Sequence, residues 1–387
     1  MKETVDYIPF RPKSILNTHR HPDHWFWSKY TAHPYTGCQH GCVFCYTREA
    51  KYSPYDSPDE FSQTIKVKEN APELLRKALS RKPVDIVFTC DYQPAEDKYG
   101  LSRQILEVCR DLGFPVFVLE RSPRIIKDLD LLQNINSKTP SVAAFSIIST
   151  PDSPNHVIAR RMENNAPPVE SRFKAMKKIA EAGILTGTCF MPILPGVCDD
   201  DVNLEAVVRW TAENGGKFIL AGGLTLADQQ KEYFFRTLQS EFPDLMEQYK
   251  KWYPAGSYSA ITYNWNRVAV KIRELCAKYG IKDRVPKPII PGDKFAANKK
   301  VAEILADACY DLEIHGQPQT RIWDYRKAAW AVEEFPTDIR LVYQTMGLKG
   351  IQSIKDIGET IGIEIAGYLN DNKFILGNNN QSFSNSI

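Results

Sequence analysis

The chain has 387 residues, 43% of them hydrophobic and 25% charged, with a formal net charge of +2. That length predicts two or three domains, or one large α/β domain with a smaller companion, and the composition is that of an ordinary globular core. The near-balanced charge excludes a bulk polycation, so any basic surface is local, and the lack of an apolar run approaching about 18 residues excludes a membrane span.

Near the start, MKETVDYIPFRPKSIL reads as no secretory leader. With nine cysteines and no export signal, the expectation is a reducing, cytoplasmic location and metal or redox chemistry rather than disulfides. Strand-like and helix-like runs then alternate. Val84–Cys90 reads as a strand and Leu101–Leu112 as a helix; Val116–Glu120 as a strand and Pro123–Leu132 as a helix with proline in its first turn. Val142–Ile148 is a strand, Ser171–Ala182 a helix closed by Gly183, and Ile184–Met191 a strand. Asp201–Asn214 is a helix and Lys217–Leu220 a strand. With one more strand just before Cys38, these make about six βα units on a parallel sheet, a partial or full βα barrel. After residue 226 the strands stop and helices such as Trp265–Tyr279 and Ala296–Tyr310 follow, with Ile281–Asp293 as a connector. The expected domains are a barrel over 1–226, a helical extension over 227–314 and a compact helical domain over 315–371. A polar tail, expected to be disordered, covers 372–387.

The segment HPYTGCQHGCVFCYTRE (His33–Glu49) carries the chemistry. Cys38, Cys42 and Cys45 have the spacing C-x3-C-x2-C, and no fourth cysteine lies close by. Three thiolates can hold three irons of a [4Fe–4S] cube and leave the fourth iron open to chelate the amino and carboxylate groups of S-adenosylmethionine (SAM). Gly37 and Gly41 permit the tight backbone path such a loop needs. A zinc site with His40 as fourth ligand is the alternative.

This motif resembles the radical SAM superfamily, and the chain resembles the branch that contains spore photoproduct lyase and its DNA-repair-photolyase-like relatives. The resemblance runs over residues 13–225, through TCDYQPAE (Thr89–Glu96), ERSPRIIKDLDLL (Glu120–Leu132), RRMENNAPPVESRFKAMKKIAEAGI (Arg160–Ile184) and MPILPGVCD (Met191–Asp199). It implies that these elements sit at the C-terminal rim of a partial (β/α)6 barrel. Within Asp91–Glu96, which includes Gln93, Asp91 or Glu96 would take the SAM ammonium, although an acid at a helix start is the plain alternative. Ser146 and Ser149 would hydrogen-bond the SAM carboxylate or ribose, or satisfy strand-end backbone. Arg160 or Arg161 and Glu163 follow that strand; the arginine would take the carboxylate as a bidentate partner, or form a solvated ion pair. Met191 would line the adenine pocket, and Phe44 and Tyr46 would shield the cluster or stack on adenine. The resemblance further implies one-electron reduction of SAM to methionine and a 5′-deoxyadenosyl radical, with a flavodoxin- or ferredoxin-type electron donor.

Among the other cysteines there is no C-x2-C pair, which argues against a second cluster. Cys189 and Cys198 are candidates for returning a hydrogen atom to a product radical, or are buried small hydrophobes. The photoproduct lyases place a donor cysteine just ahead of a strand-four serine; the matching AAFSIIS has none, a departure from the lyase pattern. His19, His21 and His24, set among Trp25 and Trp27, are expected in a surface-packed N-terminal arm, with a metal site as the alternative.

The last ordered segment, 321–369, resembles the helix–hairpin–helix module of family-X DNA polymerases in YRKAAWAVE and IKDIGETIGIEIAGYL. Such hairpins hold a DNA phosphate on backbone N–H groups. Gly358 keeps the second hairpin glycine, Asp356 replaces the first, and Gly362 stands where alanine is usual. Arg321, Arg326, Lys327, Lys349 and Lys355 supply local positive charge, and DNA is the expected partner, with a packing or protein-contact module as the alternative. Together these resemblances imply a radical reaction on DNA, in repair or modification. The alternatives are radical modification of RNA, protein or a small molecule, and a DNA-bound iron–sulfur redox sensor without turnover.

Overall fold

The computed structural model describes residues 5–371 and the backbone of 374–375 and 382–383. The tail expected to be disordered lies otherwise outside the described residues; Phe374–Ile375 and Ser382–Phe383 pair as antiparallel strands. The chain divides into two units, 1–285 and 286–387.

The first unit is built on six parallel strands: β1 (Tyr30–Ala32), β2 (Val87–Thr89), β3 (Val116–Glu120), β4 (Ser141–Ser146), β5 (Leu185–Ile193) and β6 (Ile219–Gly223). They lie side by side in chain order, and the two-residue strand Asn17–Thr18 pairs antiparallel with β1 at one edge. β1 and β6 do not pair, so the barrel is partial, as the βα count implied. Side chains alternate along each strand. Val87, Val116, Val118, Ala143 and Phe145 join one core with the helices Ala71–Leu79, Leu101–Leu112 and Val169–Glu181. Phe88 and Phe117 face the other way, stacked 5.7 Å apart.

That inner face explains the N-terminal arm. Phe26 packs 4.8 Å from Phe88 and 5.2 Å from Phe117, and Trp27 is only 1% exposed, donating its indole N–H to the Val285 carbonyl at 2.8 Å. The arm is therefore a hydrophobic plug for the open barrel rather than a surface strip. Its aromatic rings supply the apolar area that an unclosed sheet leaves uncovered.

A second, three-stranded sheet was not legible in the sequence: Asp6–Phe10, Thr64–Lys68 and Tyr35–Thr36, the last just ahead of the cysteine loop. The segment expected as a helix from Pro123 begins as a 3-10 turn, Pro123–Asp128, and continues as the α-helix Leu129–Asn136. Beyond β6 the first unit contains the helices Asp228–Glu241, Pro243–Trp252 and Trp265–Lys278.

The second unit consists of the helices Ala296–Ile314, Gln319–Glu333, Ile339–Gln352 and Glu359–Asp371 around a core of Leu305, Leu312, Ile322, Val332, Ile339, Ile351 and Ile365. The helix Ala296–Ile314, assigned from sequence to the extension, is thus part of the C-terminal core. Buried Asn298 knits this unit: its amide donates to the carbonyls of Val332, Phe335 and Thr337, and its oxygen accepts from Ile339 N at 2.8 Å. Both its amide nitrogen and its amide oxygen are bonded, which is what makes a buried polar side chain tolerable.

Candidate functional site

The cysteine loop leaves the C-terminal end of β1 through Tyr35–Thr36 and turns at Gly37. Gly37 has φ +83°, and a Cβ there would lie 2.5 Å from the Tyr55 hydroxyl and 2.7 Å from the Thr64 carbonyl. Only glycine fits, in conformation and in space. Cys38, Cys42 and Cys45 then follow on one loop, and their thiols interact with one another electrostatically. Burial pushes the Cys42 thiol up to about 11 against the opposing pull of Arg121. It also pushes Cys38 well up, with Asp91 and the other two thiols adding to the rise.

Gln93 staples this loop to the segment after β2. Its amide donates to the Gly37 carbonyl at 3.0 Å and to Asp91 Oδ2 at 2.8 Å, and its oxygen accepts from Gln39 N at 3.0 Å. Asp91 is thereby held beside Cys38, where burial raises its carboxyl to about 7. Glu96 does something else. Its Oε2 accepts from the Tyr35 hydroxyl at 2.5 Å and its Oε1 from Ser102 N at 2.9 Å, at the start of the helix Leu101–Leu112. Of the two acids, Asp91 belongs with the thiols and Glu96 secures a helix start.

Arg121, just past β3, is a residue that the sequence reading missed. Its guanidinium lies 5.2 Å from the Phe44 ring centroid and interacts with all three thiols. It pairs with Glu163, which also receives Arg172 in a bidentate ion pair, at 2.8 Å to Oε1 and 2.5 Å to Oε2. Arg172 donates further to the Ser146 and Pro167 carbonyls. Glu163 is buried, yet Arg172 and Arg121 together hold its carboxyl below the usual range. The backbone carbonyl of Glu163 accepts from Cys42 Sγ at 3.9 Å. The only early hint of Arg121 was its place in the ERSPRIIKDLDLL element, and a lone arginine there reads equally as solvated.

Other expectations divide. Phe44 is buried beneath Arg121, whereas Tyr46 is 54% exposed and packs edge-on against Tyr52. Arg161 is not brought to the site: it pairs with Glu241 at 3.0 Å on the surface. The Ser146 hydroxyl bonds the Met191 carbonyl and the Ser149 hydroxyl bonds His156 Nδ1, so both are internally satisfied. Met191 lies half-buried two residues before the end of β5, its Cβ close to where a side chain on Gly222 would start. Cys189 lies on β5 in register with Ser146. Its neighbours Thr188 and Phe190 face the outer helices, so Cys189 faces the barrel interior. Cys198 is fully buried in the outer core among Leu194, Leu204 and Tyr249.

Three thiols on one loop, faced by the cation Arg121, are a donor set that a [4Fe–4S] cube with one open iron would take. Among the described residues no group of three His, Cys, Asp or Glu side chains stands ready to hold a single metal ion. His40 Nε2 is buried in the same loop without a hydrogen-bond partner, and burial with Arg121 and Arg172 keeps that ring neutral, lowered to about 3.

In the second unit, the turn between Gln352 and Glu359 holds Asp356 at φ +64°, in the left-handed backbone region that favours glycine. Aspartate tolerates this conformation better than most side chains. Gly358 is exposed, with nothing within 4 Å of a Cβ position, so its backbone is open to an approaching group. Lys349 and Lys355 are exposed nearby in sequence; Arg326 is instead paired with Glu313.

Comparison with known proteins places this geometry. Residues 33–208 match the Radical SAM superfamily model. An uncharacterised protein of Mycobacterium tuberculosis is 26% identical over 269 residues, 67% of this chain and 77% of that one. The radical SAM Nα-GlyT isomerase of Pseudomonas phage M6 is 27% identical over 200 residues, 49% of this chain and 39% of that protein. In fold, a cysteine-to-serine mutant of spore photoproduct lyase superposes with a TM-score of 0.54 at 16% identity, covering 72% of this chain and 81% of that chain. A double mutant of that lyase, with bound AdoMet and dinucleoside spore photoproduct, gives 0.52 at 14% identity, over 71% and 80%. Residues 33–208, which hold the thiol loop and most of the βα sheet that carries it, are thus similar to the radical SAM superfamily, a family whose cofactors are a [4Fe–4S] cluster and SAM.

Proposed function

We propose that the protein cleaves SAM reductively and uses the resulting radical on DNA, in a repair or modification reaction akin to that of the photoproduct lyases. The observation that carries the reading is the loop itself: three mutually interacting thiols, held by Gln93 and faced by the buried cation Arg121. When bound, the reduced cluster and SAM supply a 5′-deoxyadenosyl radical that takes a hydrogen atom from the substrate.

The protein's own part is to bind, orient and exclude water. Cys38, Cys42 and Cys45 would hold three irons. Arg121 offsets the negative charge of the thiolates, and Glu163 and Arg172 keep its guanidinium aimed. Asp91 beside Cys38 would take the SAM ammonium, whose positive charge would favour the carboxylate that burial disfavours. Phe44 and the plug around Phe26 keep the interior apolar. Cys189 would be the thiol that returns a hydrogen atom, a role its position facing the interior supports; Cys198, packed in the outer core, would serve as a small hydrophobe.

For DNA, the support is the likeness in fold to a lyase solved with a dinucleoside lesion, and the exposed Gly358 at the hairpin of the second unit. Asp356 in the same hairpin would repel a phosphate, which favours a second reading in which the hairpin is a packing module and the substrate is RNA, protein or a small molecule.

The test is anaerobic incubation of the reconstituted full chain with SAM and dithionite, with chromatography for 5′-deoxyadenosine. Wild type is expected to form it and Cys42→Ala to form none. Deuterium passing from labelled DNA into deoxyadenosine makes DNA the substrate. A full cluster with SAM bound and no deoxyadenosine, with or without DNA, would overturn the enzymatic reading in favour of a redox sensor.

A further inference from the structure

The helix Asp228–Glu241 starts 20 residues past the matched segment 33–208, yet it grips the cysteine loop. Ala50 N donates to Asp228 Oδ1 at 3.1 Å, Gln229 Nε2 donates to the Arg48 carbonyl at 2.8 Å, and Gln230 Nε2 donates to the Phe44 carbonyl at 3.3 Å. At the centre is Arg48, three residues after Cys45, with 0% of its surface exposed. Its Nε donates to the Cys42 carbonyl at 3.3 Å, its Nη2 to the Gly41 carbonyl at 3.2 Å, and its Nη1 to the Pro58 carbonyl. The guanidinium is sandwiched between Phe61 at 4.5 Å and Tyr233, from the gripping helix, at 4.0 Å.

Among the described residues no carboxylate accepts a hydrogen bond from this cation; three carbonyl dipoles and two ring faces surround it. A fully buried charge normally demands a counter-charge. The loop that Arg48 binds carries three thiols, and a bound cluster would make those thiolates a negative charge beside it.

We infer that Arg48 is a positioning residue for the cluster: it fixes the Gly41–Cys42 backbone in ligating form, and the cluster's thiolates are its counter-charge. This rests on the cluster reading above. Arginine suits the task because its rigid fork reaches three carbonyls while its flat faces stack on aromatic rings. Lysine offers the charge without the fork. The helix Asp228–Glu241 is then part of the metal centre, although it lies outside the segment that the family shares.

The experiment compares the reconstituted full chain with Arg48→Lys, Arg48→Met and Tyr233→Leu. The readouts are iron and sulfide content, loss of iron to a chelator, the potential of the cluster followed by electron paramagnetic resonance, and the melting temperature without cluster. Arg48→Met is expected to lose iron to the chelator about tenfold faster, the scale typical of groups that orient metal ligands, and to shift the potential negative. Arg48→Lys should restore the potential but not the retention. Tyr233→Leu, which leaves the charge in place, should weaken retention with little change in potential, and it carries the test if Arg48→Met does not fold. Variants that lower only the melting temperature, with potential and chelator resistance as in wild type, would overturn the proposal. A wild-type chain that takes up no cluster would instead bring down the cluster reading itself.

Discussion

Replacing Glu163 by glutamine removes one negative charge from between two arginines while keeping the shape of the side chain. Arg172 is 0% exposed and Arg121 only 15% exposed, so neither can recover its hydration by a small rotation. Removing one partner of a buried pair costs about 3–5 kcal/mol. Arg172 retains the Ser146 and Pro167 carbonyls as partial compensation, which places the expected loss near the lower end, about 3 kcal/mol. For a unit of this size each kcal/mol corresponds to roughly 2–4 °C, so the melting temperature should fall by about 6–12 °C. Circular dichroism melts and urea titrations of the cluster-free chain at pH 7 measure it. The pH dependence gives a second check with a definite sign. Glu163 is held below its unfolded value near 4.5, so its contribution is complete above about pH 4.5 and is lost as pH falls through the lower folded value. The variant should therefore show a flatter acid limb than wild type. Adding Arg172→Met should recover part of the loss, because it withdraws the stranded charge. A loss below about 1 kcal/mol, or an acid limb unchanged by the substitution, would refute the account of this triad as a buried charge balance.

Two further outcomes follow from the packing. Phe26→Ala should destabilise the first unit by about 3 kcal/mol, measured by urea unfolding, because the ring fills space against Phe88 and Phe117 that the open sheet cannot close; an unchanged midpoint would mean that the arm does not plug the barrel. Asp356→Gly removes a left-handed aspartate and a negative charge from the hairpin at once. In fluorescence-anisotropy titrations of the full chain with duplex DNA it should tighten binding and steepen the salt dependence; equal binding across salt would favour the packing-module reading.

The sequence by itself determined the local pattern. Strand and helix periodicity placed the βα succession to within a few residues, because alternation and amphipathicity are short-range consequences of burial. The spacing of Cys38, Cys42 and Cys45 marked the loop, since three thiols so close in sequence share one stretch of backbone. Gln93 and Glu163 were named, but their partners were not. Tertiary structure decided which acids and arginines matter. Asp91 and Glu96 are five residues apart and look alike in the sequence, yet one faces Cys38 and the other holds Tyr35 and Ser102. Arg161 reads as a better candidate than Arg121, and the fold sends it to the surface. Arg48 is unremarkable in a line of text until a helix far along the chain lays Tyr233 on its guanidinium; the plug Trp27 finds its acceptor in Val285 in the same way. Such contacts join residues whose separation carries no periodicity, and a charged side chain shows its function only when burial takes away water and leaves it to the partners that the fold provides.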